Sequence, residues 1–321
     1  MKPTNPVVSG LARAGLRSPP GPPGPLPGNP VLRAMLGLLR RPTRASPLAT
    51  RGLATVRPGL ALAWLFLIAL ILAAIAPHWL TGVDPLAAAA RNAYLPPSSS
   101  HWLGTDENGR DVLARLIHGV RPSLLMGLVS TAIGLGVGII LGLAAGLGPR
   151  LVDGAIMRLI DVLLAFPDLL LALVIITFWG QGLWITLIAV GVASIPRFAR
   201  MVRAQTLVVR DAPYVEAATT LGRHRAAVVL RHVLPNAIKP ILILATIGIG
   251  HNIITGAALS FLGFGASPPA PEWGSMLAMG RNYLANAWWL VAWPSVAIIL
   301  TVVSITAIGR DWLARSEGKS R

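Results

Sequence analysis

Long stretches free of Asp, Glu, Lys and Arg recur along the chain: Pro58–Val83, Pro122–Pro149, Leu169–Pro196, Pro240–Pro271 and Asn282–Gly309. Each exceeds the roughly 20 apolar residues that a helix needs to cross a bilayer. The Leu169–Pro196 run is too long for one crossing and too short for two, and Gly180-Gln-Gly182 breaks it. Its first part must then reach back to about Ile160, and its second forward to about Ala199. The remaining crossings run about Gly59–Ala76, Leu124–Leu147, Ala237–Ser260 and Trp288–Ile308. The pattern predicts an all-α polytopic membrane protein with six transmembrane helices.

Two features stand out inside these runs. Gly134, Gly138, Gly142 and Gly146 repeat at four-residue spacing in the second span. Such a stripe lets another helix backbone approach closely, and it also suits a gating hinge. Asp168, beside Pro167, falls inside or near the membrane face. An ionisable group there either borders a pathway or is solvated at the interface.

The polar connections carry the remaining information. Between spans four and five lies a cation-rich loop, residues 200–235. Asp211 is read as an N-cap and Pro213 as a first-turn residue, followed by a short helix from Tyr214 through Glu216, Ala217 and Ala218 to Leu221. Gly222 supplies a left-handed stop. A second helix is expected over Arg223–Val233, ending before Leu234-Pro235. A helix of two to three turns is marginal alone in water, so this helix–Gly–helix elbow is expected to dock against something. Between spans one and two, Asp106–Arg110 and Asp111–Arg115 are spaced as i,i+4 pairs of a surface helix. The adjacent arginines argue against a metal site built from Asp106, Glu107 and Asp111.

Charge then orients the chain. The net charge is +16, and the first 58 residues hold nine Lys/Arg and no acid. With both termini cytoplasmic, 23 of the 28 Lys/Arg fall on cytoplasmic segments, as the positive-inside rule requires. The charge is therefore topological and not a nucleic-acid footprint. Residues 1–58, with a Pro/Gly-rich run from Pro19 to Pro30, read as a disordered basic tail. Val31–Arg41 has the alternation of an interfacial helix. Residues 59–321 form the membrane domain. The chain has no cysteine, no His-Glu-x-x-His and no Gly-x-Ser-x-Gly. Gly318-Lys319-Ser320 looks like the end of a phosphate loop, but Leu313 stands where its first glycine belongs. No catalytic residue, metal ligand or nucleotide site is expected in this chain.

Glu216-Ala-Ala-x-x-x-Gly222, followed after nine residues by x-x-Leu234-Pro235, resembles the cytoplasmic signature loop of bacterial ABC-importer permeases. His232 departs from the isoleucine of the general pattern, while Arg231-His-Val-Leu-Pro-Asn236 is similar to the peptide branch. Leu103–Asp111, Pro268–Gly274 and Ala165–Leu171 are similar to the second permease subunit of dipeptide, oligopeptide and nickel importers. The resemblance covers about residue 55 to the C-terminus. It implies a type I importer permease fold in a bacterial inner membrane, with Asp211, Tyr214, Glu216, Ala217, Ala218, Gly222, Leu234 and Pro235 forming the element that couples to an ATPase. It also implies a homologous permease subunit, two ATPase subunits carrying ATP and Mg, and an extracytoplasmic solute-binding protein. The cargo is expected to be di- or oligopeptides, with a nickel chelate or another small solute as the alternative. A proton-coupled carrier would have only Asp168 and His251 to work with, and it leaves the signature loop unexplained.

Overall fold

The computed structural model describes residues 58–316. The expected basic tail, its interfacial helix and Gly318-Lys319-Ser320 lie outside the described residues. Among the described residues the regular elements are helices joined by loops, and the one β feature is an isolated antiparallel bridge between Thr105 and Asp111. The first span, α1, is Pro58–Ile75. A short α2, Val112–His118, leads into α3, Val120–Leu147. The next expected crossing is two helices, α4 (Arg150–Leu164) and α5 (Asp168–Trp179), bent by 94°. After the Gly180–Gly182 break comes α6, Leu183–Arg210. Then come α7 (Pro213–Thr220), α8 (Arg225–Val228), a π-helical turn (Val229–Val233) and α9 (Leu234–Phe261). A buried α10, Trp273–Gly280, precedes the last span, α11, Trp289–Ser316. Five helices are long and apolar enough to cross a membrane, and the bent pair makes six.

Two expectations about the crossings are corrected. The third crossing is not a continuous helix from Ile160. Pro167 lacks an N–H and disfavours helical geometry in Phe166, so the chain turns at Ala165–Pro167 and Asp168 begins a new helix. The fourth helix does not stop near Ala199 but continues to Arg210. Its extra turns are polar on the side facing α4. Arg203 donates to Asp153 through Nε and Nη2 at 2.5 and 2.6 Å and Arg200 pairs with Asp161, while Arg197, just before these turns, pairs with Asp168 at the start of α5. Arginines in a span-length helix are tolerable once paired in this way.

The most intimate contact is between α3 and α6. An added Cβ would lie 2.0 Å from Ser194 Oγ at Gly134, and 2.6 Å from Phe198, Val202 and Thr206 side chains at Gly138, Gly142 and Gly146. The four-residue repeat on α3 therefore meets a four-residue repeat on α6, ridge against groove. Polar cross-links extend the seam at both ends. Ser130 donates to the Leu187 carbonyl at 2.8 Å, and Arg210 Nη1 donates to the Gly146 carbonyl at 2.7 Å. The stripe is a packing surface.

At the end of the bundle opposite α7, the loops on either side of α2 and α10 close over the helices. Asp106 and Arg110 come within 3.9 Å, but in a turn and not on the expected surface helix. The Asp111–Arg115 pair does not form. Asp111 caps α2 by accepting from Ala114 N and meets His101 Nδ1 at 2.9 Å. Arg115 is 1% exposed, turns inward to within 3.5 Å of Asp106 and donates to the Pro269 carbonyl. Among the described residues, no group of three His, Cys, Asp or Glu side chains is arranged to hold a metal ion. Trp289 Nε1 reaches the Thr105 carbonyl and Trp273 Nε1 the Leu116 carbonyl. The Leu103–Asp111 and Pro268–Gly274 stretches are thus parts of one cap. Glu272 accepts from Gly274 N and Ser275 N to start α10, and burial pushes its carboxyl above the usual range.

Gly142→Val should force α3 and α6 apart, at a cost of roughly 1–3 kcal/mol. Gly136→Val, where a Cβ meets open space, should be silent. Membrane level and melting temperature in detergent check both, and equal values for the two variants would overturn the packing role.

Candidate functional site

The elbow between α6 and α9 is held from below by a small apolar cluster. Val215 and Ala218 of α7 pack with Val209, Val228, Val233 and Ala237. They sit three residues apart, on one face of the helix. Pro213 occupies the first turn as expected. Asp211 is not the N-cap: it terminates α6, pairs with Arg210 at 3.2 Å, and leaves Ala212 as the cap residue with no side-chain bond. The reason is that α6 runs unbroken to Arg210, which turns the Asp211 carboxylate toward its neighbour.

The far end of α7 is built as expected. Gly222 has φ +76°, its N–H donates to the Thr219 carbonyl, and Arg223 N–H donates to the Ala218 carbonyl. These are the two bonds of a Schellman stop. Beyond Gly222 the chain departs from expectation. No separate helix spans Arg223–Val233, and the chain does not stop before Pro235. A short α8 passes through the π turn directly into α9, with Pro235 in the first turn of α9. Pro235 has no N–H to give the Arg231 carbonyl, and its ring would crowd that group. The wider turn accommodates this: Leu234 N–H bonds the Val229 carbonyl, and Asn236 Nδ2 takes the His232 carbonyl at 2.7 Å.

Rooted by Val215 and Ala218, α7 turns Tyr214, Glu216, Ala217 and Leu221 outward. Leu221 is 82% exposed and Tyr214 46% exposed. An exposed apolar strip on so short a polar-loop helix is the form of a docking surface. Leu234 is half-buried and Pro235 exposed beside it. The expected elbow residues are therefore brought together, and only Asp211 takes a different local role.

A second grouping lies partway along the bundle, on a face that this chain leaves open. Asp168 Oδ2 accepts from Arg197 Nη2 at 2.7 Å and faces His251 Nε2 at 3.0 Å. The three residues come from α5, α6 and α9. Ten residues separate His251 from the end of α9 and eleven separate Asp168 from the end of α5, or about 15–17 Å of helix. That is half of a hydrocarbon core of about 30 Å. Asp168 therefore sits deeper than its position beside Pro167 suggests. Arg197 escapes a reading by hydropathy because it lies just past a charge-free run. Its signal is the spacing of Arg197, Arg200 and Arg203 against Asp168, Asp161 and Asp153.

Six apolar crossings around a glycine seam, an outward elbow at one end and a folded cap at the other define a membrane permease. Residues 138–317 match the family described as binding-protein-dependent transport system inner membrane component. The chain is 41% identical over 251 residues to the di/tripeptide transport system permease protein DppC of Pseudomonas aeruginosa, covering 76% of this chain and 83% of that one. It is 44% identical over 213 residues to the glutathione transport system permease protein GsiD of Pectobacterium atrosepticum, covering 66% and 71%. A probable D,D-dipeptide transport system permease protein of Escherichia coli is 39% identical over 255 residues, with 78% and 86% covered. Among solved structures, an inward-facing MetNI methionine ABC transporter chain superposes with a TM-score of 0.53 at 20% identity, covering 64% of this chain and 97% of that one. That likeness shows the type I permease fold. The chain belongs to the binding-protein-dependent transport system inner membrane component family. It is a multi-pass inner-membrane permease subunit of an ABC importer, a class whose ATPase is a separate subunit and which works with a further permease and a binding protein.

Proposed function

We propose that this chain forms half of the translocation pathway for di- and oligopeptides and receives the ATPase stroke through the α7 elbow. The cargo reading is supported by the relatives, which are named for di/tripeptides, D,D-dipeptides and glutathione. The observation that carries the coupling role is the elbow's construction: a buried Val215/Ala218 root, a Schellman stop at Gly222, and Tyr214, Glu216, Ala217 and Leu221 left facing outward. A lever must be stiff where it meets its driver, and α7 is rooted along its buried face and stopped at Gly222.

In this reading two ATPase subunits bind ATP and Mg, and one of them seats α7 in a surface cleft. A homologous permease faces this chain to complete the pathway, and the cap built around Arg115 and Trp273 receives the loaded binding protein. Asp168, Arg197 and His251 border the pathway. Residues 1–58 are a cytoplasmic basic tail, residues 59–321 the permease domain, and both termini are cytoplasmic, because that orientation keeps 23 of 28 Lys/Arg inside.

A reporter fused after Arg321 should be cytoplasmic, and one inserted at Ser98–Ser100 periplasmic. Accessibility of both from the same side would overturn the orientation.

Gly222→Val should strain the corner through its positive φ, with no clash because a Cβ there meets open space. The backbone cost is of order 1 kcal/mol or more, and it tilts α7. Glu216→Lys reverses an exposed charge on the same helix. Both variants should reach the membrane at normal level, yet lose cargo uptake and binding-protein-stimulated ATPase activity in proteoliposomes holding the whole assembly. Wild-type rates for both would remove α7 as the coupling element.

A further inference from the structure

The mid-membrane grouping is a poor structural device and a good recognition device. Its three members remain 32%, 33% and 46% exposed at Arg197, Asp168 and His251. An open charged face at this depth is directed at protein or water, not at lipid. Two further ion pairs, Arg200–Asp161 and Arg203–Asp153, tie α6 to α4, whereas Arg197–Asp168 joins α6 to α5. The α5–α6 contact is already held by the apolar cluster of Ala172, Ile176, Ala189, Val190 and Ala193, so it does not require an ion pair at this depth.

The chemistry of the group is that of a zwitterion turned inside out. One carboxylate oxygen of Asp168 receives both the Arg197 guanidinium and the His251 ring nitrogen. A solute bearing an ammonium and a carboxylate can exchange with this internal pair. Its carboxylate replaces Asp168 on the planar fork of Arg197, which suits two parallel hydrogen bonds. Its ammonium replaces Arg197 on Asp168. The one resident ion pair broken is replaced by two, so no charge is left unpaired at this depth. Because the resident pair re-forms behind it, the solute is also released readily.

We propose that Asp168, Arg197 and His251 form a transit site that reads the charged ends of the cargo: Arg197, with His251 beside it, takes the carboxylate, and Asp168 takes the ammonium. This rests on the importer reading above and adds to it a selectivity inside the membrane, separate from that of the binding protein.

The test is uptake by the complete assembly in proteoliposomes, with three probes: L-alanyl-L-alanine, its C-terminal amide and its N-acetyl derivative. Each rate is corrected for the affinity of the isolated binding protein for that probe. The wild-type assembly should favour the free dipeptide over the amide by about tenfold after correction, as the loss of a charge-assisted hydrogen bond implies. Arg197→Gln should erase that preference, and Arg197→Lys should keep part of it. Asp168→Asn should erase the preference over the N-acetyl derivative instead, which gives an independent route if Arg197→Gln does not accumulate. A corrected preference absent from the wild type, or unchanged in Arg197→Gln and Asp168→Asn, overturns the proposal. Failure of the wild-type assembly to take up any probe with ATP overturns the importer reading itself.

Discussion

The contact on which the rest of the structure depends is the seam between α3 and α6. Four glycines on one helix let the other approach so closely that Ser194, Phe198, Val202 and Thr206 occupy the volume where their side chains would be. In a bilayer no hydrophobic drive separates helix–helix contact from helix–lipid contact, so such backbone proximity and the dispersion it permits must hold the pair. Once α6 is fixed in this way, its arginines are fixed too. The bent α4–α5 pair then has a row of cations to pair with, and α7 projects from a helix end that does not swing.

The same constraint explains which features are legible in the sequence. Six crossings emerge from runs without charge, and the glycine stripe from its repeat, because both depend on local composition. Gly222 is legible for a similar reason: a short helix needs a stop, and a left-handed one needs glycine. The break at Ala165–Pro167 is not, since Pro167 is compatible with the start of a helix as well as its end. What settles it is the pairing of Asp153, Asp161 and Asp168 with arginines more than twenty residues away. Asp111 and Arg115 look like partners in the sequence for want of the same distant information. Spacing suggests an i,i+4 pair, but a buried guanidinium with two loop carbonyls within reach, those of Pro85 and Pro269, turns toward them.

The π turn at Val229–Val233 shows how a local conflict is resolved without ending a helix. Pro235 has the character of a terminator because it cannot bond the residue four before it. One wider turn removes that requirement, and Asn236 supplies a side-chain donor for the His232 carbonyl. The result is continuity. The chain passes from the elbow cluster at Val228 and Val233 into a membrane helix with no loop between them.

That continuity links the two candidate sites mechanically. His251 lies on the same helix as Ala237, which packs in the elbow cluster with Val215 and Ala218. The fourteen residues between them are about 21 Å of helix. Asp168 and Arg197 belong to α5 and α6, which meet α9 only through side chains at that depth. On the proposed reading, a displacement of α7 reaches His251 along α9 and Arg197 along α6, while Asp168, on α5, is reached only through packing against its neighbours. A continuous helix and side-chain packing differ in stiffness, so the cluster is where relative motion among the three helices is expressed. On that reading the Asp168 carboxylate, shared by donors on α6 and α9, is loosened by the stroke that opens the pathway, and its charges become available to the cargo at the moment of passage.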